Sequence, residues 1–327
     1  MLFDNHGRPI NYVRLAVTDR CNLRCFYCMP ENGIDFSPKS MLMTYEEMLL
    51  GMQILSEMGI TKVRITGGEP FVRNGLINFL EKLSFIKGIE EISITTNGVL
   101  TEQYIAPLKE IGIKKINLSL DSLDPKRFLE ITRRDDFNAV YSTFIKLIEN
   151  DFDVKINAVV MDNKNIEDII PLAKLTKDFP VSVRFIEEMP FNGKGLEKPI
   201  LNWNHKRIFE LLENNFGTLK SENDKPSSTS QNYSIDNHKG LVGIIPAFSR
   251  TFCGTCNRIR ITPQGDIKTC LYGDNQLNIK NLIRENISPN SIKKTLNEAF
   301  NKRAKNGFEA ENSRSKQISE SMTSIGG

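Results

Sequence analysis

Between residues 13 and 187 the chain repeats one pattern: a short run of alternating apolar and polar residues, then a stretch whose apolar residues recur at every third or fourth position. A period of two predicts a strand, and a period near 3.6 predicts a helix. The strand-like runs are 13–18, 62–66, 91–96, 115–121, 154–161 and 181–187. The first helix has a readable start. Thr44 with Glu47 makes the pattern of a capping box, and Tyr45, Met48, Leu49, Met52 and Leu55 then share one face, which we read as core packing. Strand and helix in alternation imply a parallel sheet. These six units fall short of the eight of a full TIM barrel. The expected fold is therefore α/β, an incomplete (β/α)6 TIM-like barrel over residues 1–220. From 221 the pattern changes. Residues 221–231 are rich in Ser, Asp, Lys and Pro and predict a linker or loop. Residues 240–247 and 258–269 read as short strands, with a turn at Gln264-Gly265-Asp266, and helices are expected near 279–284 and 291–305. Residues 221–327 thus form a C-terminal α+β extension.

Strands of a parallel sheet are covered on both faces and usually read as continuous apolar runs. These do not. In successive runs Val13, Leu15 and Val17 oppose Arg14 and Thr18; Val63 and Ile65 oppose Arg64 and Thr66; Ile92 and Ile94 oppose Ser93, Thr95 and Asn97. Ile116, Leu118 and Leu120 oppose Asn117, Ser119 and Asp121; Val154, Ile156, Ala158 and Val160 oppose Lys155 and Asn157; Val181, Val183 and Phe185 oppose Ser182 and Arg184. If the apolar face meets the helices, the other face gathers Arg14, Arg64, Lys155 and Arg184. Buried cations need partners, and Asp121 is the main candidate anion on that face. A wide, wet lumen that binds an anionic ligand is the expectation; snorkelling strand-end side chains are the alternative. Arg258 and Arg260 alternate in the same way around Ile259 and present two more guanidiniums suited to phosphate or carboxylate.

The formal charge of +3 is too small to argue for nucleic acid. No leader and no bilayer-length apolar run is seen, so a cytoplasmic protein without a membrane or nucleic-acid partner is expected. In that compartment cysteines are more often metal ligands than disulfides. All six cysteines fall into two triplets, Cys21-x3-Cys25-x2-Cys28 and Cys253-x2-Cys256-x13-Cys270. Disulfides within a triplet would strand one thiol. Three thiolates can ligate three irons of a [4Fe–4S] cubane and leave the fourth open. Zinc is the alternative, though His6, His205 and His238 are not spaced as a fourth ligand.

The CxxxCxxC triplet with Tyr27 before its last cysteine, followed after the next strand by Gly67-Gly68-Glu69-Pro70, resembles the signature of the radical S-adenosylmethionine enzymes. A closer resemblance spans nearly the whole chain: TDRCNLRCFYCMP (18–30), RITGGEP (64–70), TTNG (95–98), NLSLDS (117–122), RFIEEMP (184–190), FCGTCNRIRIT (252–262) and the terminal Gly326-Gly327 are similar to the GTP 3′,8-cyclases of molybdenum cofactor biosynthesis. Residues 221–239 carry nothing over. The resemblance implies that Cys21, Cys25 and Cys28 hold a [4Fe–4S] cluster that binds S-adenosylmethionine, with Tyr27, Gly68, Ser119 and Met189 around that cosubstrate. It implies a second [4Fe–4S] cluster on Cys253, Cys256 and Cys270, facing the guanine of GTP. Arg14, Arg64, Thr95, Lys155, Arg258, Ile259 and Arg260 would contact GTP, and Arg258, Arg260, Gly326 and Gly327 would serve catalysis. The implied chemistry is hydrogen abstraction from C3′ of the ribose and attack of that radical on C8. Implied partners are an electron donor such as flavodoxin or ferredoxin, the next enzyme of the pathway and a second copy in a homodimer. A peptide-modifying radical enzyme, or a zinc module that binds nucleic acid, are the competing readings.

Overall fold

The computed structural model describes residues 2–192 and 201–326. Its elements, in chain order, are β1 (Tyr12–Ala16), α1 (Tyr45–Met58), β2 (Lys62–Thr66), α2 (Leu76–Ser84), β3 (Glu91–Thr96), α3 (Ile105–Glu110), β4 (Lys115–Ser119), α4 (Pro125–Thr132), α5 (Phe137–Glu149), β5 (Asp153–Val160), α6 (Ile169–Asp178) and β6 (Ser182–Glu187). There follow α7 (His205–Phe216), β7 (Lys220–Ser221), β8 (Gln231–Ser234), β9 (Leu241–Ile245), β10 (Arg258–Ile261), β11 (Asp266–Lys268), β12 (Leu277–Asn278), α8 (Ile279–Arg284), α9 (Pro289–Phe300), α10 (Gly307–Asn312) and α11 (Met322–Ile325). Strands β1 to β6 pair in sequence order, all parallel, as the βα repeat predicts. The chain is thus a TIM-like barrel core with a C-terminal extension.

The extension adds to the barrel's own sheet. β10 pairs parallel with β1 on one edge, and β9 pairs parallel with β6 on the other. Antiparallel strands then finish each edge, β11 and β12 beyond β10, β8 and β7 beyond β9. The sheet order runs β12-β11-β10-β1-β2-β3-β4-β5-β6-β9-β8-β7, and among the described residues no pairing closes the ring. The expected loop at 221–231 is the connection between β7 and β8, and its two ends are strand residues.

The apolar face of the strands packs on the helices. Val13, Leu15, Val63, Ile65, Ile94, Ile116, Leu118, Val154, Ile156, Val183, Phe185 and Ile259 are buried in one core with Met48, Met52 and Leu55 of α1. Both halves of the α1 capping box are present: Glu47 N donates to Thr44 Oγ1 and Thr44 N donates to Glu47 Oε2. α1 ends on Gly59 in the left-handed region. Its outer side meets α8 and α9, so the extension covers the start of the barrel wall. No helix among the described residues is long and apolar enough to cross a membrane.

Candidate active site

The inward face of the sheet carries the charge that alternation predicts, and register sharpens it. Arg260, Arg14 and Arg64 stand opposite one another on β10, β1 and β2. Neighbouring strands lie about 4.8 Å apart, so these side chains start at that spacing. Arg184 lies opposite Asn157, and Ser119 opposite the other side of Asn157. Burial, and repulsion from Arg64 and Arg258, pull the Arg14 guanidinium down to about 10. Burial followed by Arg14 and Arg258 pushes Arg260 well below its ordinary value. Among the described residues no carboxylate pairs with Arg64, Arg184, Arg258 or Arg260. Arg184 Nε and Arg258 Nη2 are buried without a hydrogen-bond partner there. Asp121, expected to offset these cations, does something else. Its Oδ2 accepts from Tyr27 Oη at 2.8 Å and its Oδ1 from Val159 N at 2.8 Å. Burial pushes its carboxyl up to about 6. The lumen is left with an excess of donors.

A cavity of about 280 Å³ joins this row to both cysteine triplets. Cys21, Cys25, Cys28, Cys253, Cys256 and Cys270 all line it, with Arg14, Arg64, Arg184, Arg258 and Arg260. Tyr27, Gly68, Thr95, Ser119 and Met189 line it too. Two of the expected contacts are placed differently. Ile259 turns its side chain into the apolar core, because it alternates with the two arginines. Lys155 lies on the inward face outside the cavity wall, 3.6 Å from Asp153. Gly327 falls outside the described residues.

All six cysteines are free thiols. The first triplet follows β1 in a loop held at both ends: Arg24 N donates to Thr132 O, and Ser321 Oγ donates to Cys28 O at 2.6 Å. Asn97 Nδ2 approaches Cys21 Sγ at 3.6 Å. Burial, then Glu69, raises the Cys21 thiol to about 11, and burial with mutual repulsion raises Cys25 and Cys28 further. A bound cation inverts that preference, since thiolates are then neutralised. The second triplet sits on the turn before β10 and after β11. There Arg258 and Arg303 outweigh burial and lower Cys256 to about 6. No three His, Cys, Asp or Glu side chains among the described residues converge on one metal ion. A cubane is larger than an ion and takes one cysteine per iron, so spaced thiols around a cavity fit it better than they fit zinc.

Gly68 shows why the GGEP turn needs glycine. Gly68 N donates to Thr18 O and Glu69 N to Arg20 O, which lays the turn against the loop entering Cys21. A Cβ on Gly68 would meet Arg20 O at 2.2 Å. Gly68→Ala is expected to destabilise the fold by about 1–3 kcal/mol, the usual overpacking cost, and to reduce iron loading of the first triplet. Thermal melting with iron analysis checks this; an unchanged melt would show that the loop yields freely.

The carboxyl-terminal tail is docked. α11 is capped by Ser321, and Met322 N donates to Phe191 O. Arg260 Nη1 donates to Gly326 O. Gly326 is buried with φ +76°, and a Cβ there would lie 2.9 Å from Thr66 Oγ1 and 3.0 Å from Ala16 Cβ. Behind it Lys268 Nζ, fully buried, pairs with Glu320 at 2.6 Å, and Glu320 also takes Arg314 at 2.9 Å.

Comparison with known proteins gives the family. The profile of the Radical SAM superfamily matches residues 15–176, and that of Molybdenum Cofactor Synthesis C matches residues 181–309. A protein of Desulforamulus reducens named GTP 3′,8-cyclase is 38% identical over 329 residues, covering 100% of both chains. The chain belongs to the GTP 3′,8-cyclase family. The Clostridium perfringens GTP 3′,8-cyclase is also 38% identical, over 93% of this chain and 94% of its own. The human molybdenum cofactor biosynthesis protein 1 is 35% identical over 92% of this chain, which spans 48% of the human protein. Among solved structures, Streptococcus suis SuiB bound to S-adenosylmethionine has a TM-score of 0.61 at 15% identity, covering 88% of this chain and 68% of that one. The enzyme anSMEcpe with bound AdoMet has 0.57 at 18%, over 93% and 80%; both likenesses show the fold. Membership of the radical SAM superfamily implies S-adenosylmethionine and a [4Fe–4S] cluster, and the first triplet fits that cluster.

Several cavity residues of this GTP 3′,8-cyclase homologue escaped the sequence reading. Lys268 lies opposite Arg260 across β10 and β11, and the same alternation rule applied one strand further would have found it. Arg250 has no such signal: it lies in an irregular turn, clamped between the rings of Tyr272 and Phe308 at 3.5 and 4.3 Å.

Proposed function

We propose that this chain cyclises GTP to (8S)-3′,8-cyclo-7,8-dihydroguanosine 5′-triphosphate, the first step of molybdenum cofactor biosynthesis. The observation that carries the proposal is one cavity bounded by two cysteine triplets, with Arg64, Arg184, Arg258 and Arg260 on its wall and, among the described residues, no carboxylate paired with any of these four. When bound, S-adenosylmethionine and its cluster supply one-electron chemistry that yields a 5′-deoxyadenosyl radical. The chain's own task is placement. Tyr27, Gly68, Ser119 and Met189 surround the cosubstrate beside the first triplet, and Asp121 keeps Tyr27 turned toward it. Cys253, Cys256 and Cys270 would hold a second [4Fe–4S] cluster, at the side of the cavity that Arg258 and Arg260 also line. Arg14, Arg64, Thr95, Arg258 and Arg260 receive the nucleotide. Guanidinium forks suit its phosphates, and the anion relieves the repulsion among them. Lys155, on β5 within the field of Arg184 and Arg64, acts from outside the cavity wall, and Ile259 contributes through its backbone alone.

Holding C3′ close to the radical is worth far more than any single contact, because effective molarity falls steeply with misplacement. The docked tail, described as far as Gly326, keeps water from the site. A flavodoxin or ferredoxin supplies electrons in the cytoplasm, the next enzyme takes the product, and the chain works as a homodimer. Anaerobic incubation with reductant, S-adenosylmethionine and each nucleotide in turn tests the activity. A cyclised purine is expected with GTP alone, together with 5′-deoxyadenosine above the uncoupled level. Equal 5′-deoxyadenosine formation with every nucleotide and no cyclised product would sink it.

A further inference from the structure

Behind the second triplet lies a buried ionic network that none of these roles uses. Arg303 follows α9 with 2% of its side chain exposed. Its Nη2 donates to Cys256 Sγ at 3.0 Å and to Arg258 O at 2.8 Å. Its Nη1 donates to Cys256 O at 2.9 Å and lies 3.3 Å from Asp4 Oδ2. Asp4 is fully buried and also binds Arg8 Nε at 2.7 Å. Arg8 in turn donates to Cys253 O at 3.1 Å and to the carbonyls of Ala304 and Lys305 at 2.9 and 2.7 Å. The His6 ring closes the network on Arg303 O at 2.9 Å. Two guanidiniums therefore share one carboxylate in a buried setting. Such an imbalance is costly unless a further anion meets it, and the group that Arg303 meets is a sulfur. A neutral thiol is a weak acceptor, whereas a metal-bound thiolate is a good one.

We propose that Arg303 is a positioning residue for the second metal centre, with its guanidinium holding Cys256 as an anionic ligand and fixing the start of the strand that carries Arg258 and Arg260. This rests on reading the second triplet as a cluster site. A donor to a cluster sulfur stabilises the more negatively charged, reduced state, and so raises the reduction potential. Arg8 and Asp4 act one step further out: they hold the Cys253 backbone and orient Arg303. A purely structural Arg303 would instead tie the two ends of the chain together and leave the metal centre's electronic properties alone.

The test uses the full chain purified anaerobically with its clusters. Wild type should hold about eight irons, as two [4Fe–4S] clusters require. Arg303→Gln should lose second-cluster iron to a chelator roughly 10–100-fold faster, the range typical of ligand-supporting residues. Its second-cluster midpoint potential should move to more negative values and its spectroscopic signature should shift. The first cluster's signal and the uncoupled cleavage of S-adenosylmethionine should stay as in wild type. Arg303→Lys keeps the charge and loses the fork, so it should show the same changes at smaller size; it carries the test if the glutamine variant does not fold. Wild-type iron retention, potential and spectrum in the variant that folds would overturn the proposal while leaving the second cluster in place. A wild-type protein with only about four irons would overturn the second cluster, and this proposal with it.

Discussion

Cys28→Ser is expected to abolish cleavage of S-adenosylmethionine, by roughly three orders of magnitude or more, which corresponds to about 4 kcal/mol of lost transition-state stabilisation. The reason is arithmetic of ligands. Cys21, Cys25 and Cys28 line one end of the cavity, and among the described residues no His, Cys, Asp or Glu stands ready as a substitute in a metal-binding group. Serine at 28 leaves two thiolates for a cluster that needs three, and a hydroxyl is far less readily ionised than a thiol. The loss should also loosen the tail, because Ser321 Oγ is anchored on the Cys28 carbonyl. Iron should fall to about half, with the remainder on the second triplet. Cys270→Ser is the contrast: iron should again fall to about half, uncoupled cleavage should persist, and the cyclised product should vanish. Cleavage at wild-type rate in Cys28→Ser would remove the first triplet from the chemistry; cyclisation at wild-type rate in Cys270→Ser would remove the second.

The parts of this molecule that could be read in the sequence are those governed by local periodicity. The six barrel strands, the capping box at Thr44 and the arginine-bearing face all follow from which residues alternate. What could not be read is set by pairing between distant segments. Nothing local says that β9 and β10 lie against opposite edges of one sheet, yet that puts Arg260 beside Arg14 and makes three separate arginines into a row. Likewise Asp121 looked like a counter-ion for the lumen, but its position after β4 gives it to Tyr27 of the cysteine loop. The resemblance placed Gly68 beside the cosubstrate, but it does not say which protein group lies where a Cβ would stand. The approaching group is the Arg20 carbonyl, which only the folded chain reveals. Arg303 had no signal at all, since a lone arginine after a helix looks the same in sequence whether it is solvated or buried on a sulfur.

Arg260→Ala should weaken GTP binding by roughly 10–100-fold, given about 1.5–3 kcal/mol for a hydrogen bond to a charged group and a factor of ten per 1.4 kcal/mol. Its effect on turnover should be larger still. Arg260 has two tasks in the structure: it completes the row with Arg14 and Arg64, and its Nη1 holds the Gly326 carbonyl. The ligand-free protein should melt no lower than wild type, because burial, then Arg14 and Arg258, already disfavour a charged Arg260. The stabilisation that GTP confers on melting should be largely lost. Two further variants separate the tasks. Arg260→Lys restores the charge without the fork, so it should regain part of the affinity and little of the turnover. Removal of Gly326 and Gly327 takes away the tail's end and leaves the row, so it should keep most of the affinity and lose the turnover. If Arg260→Ala bound GTP as wild type does, the row would not be the phosphate site, and the cavity's unpartnered donors would need another anion to explain them.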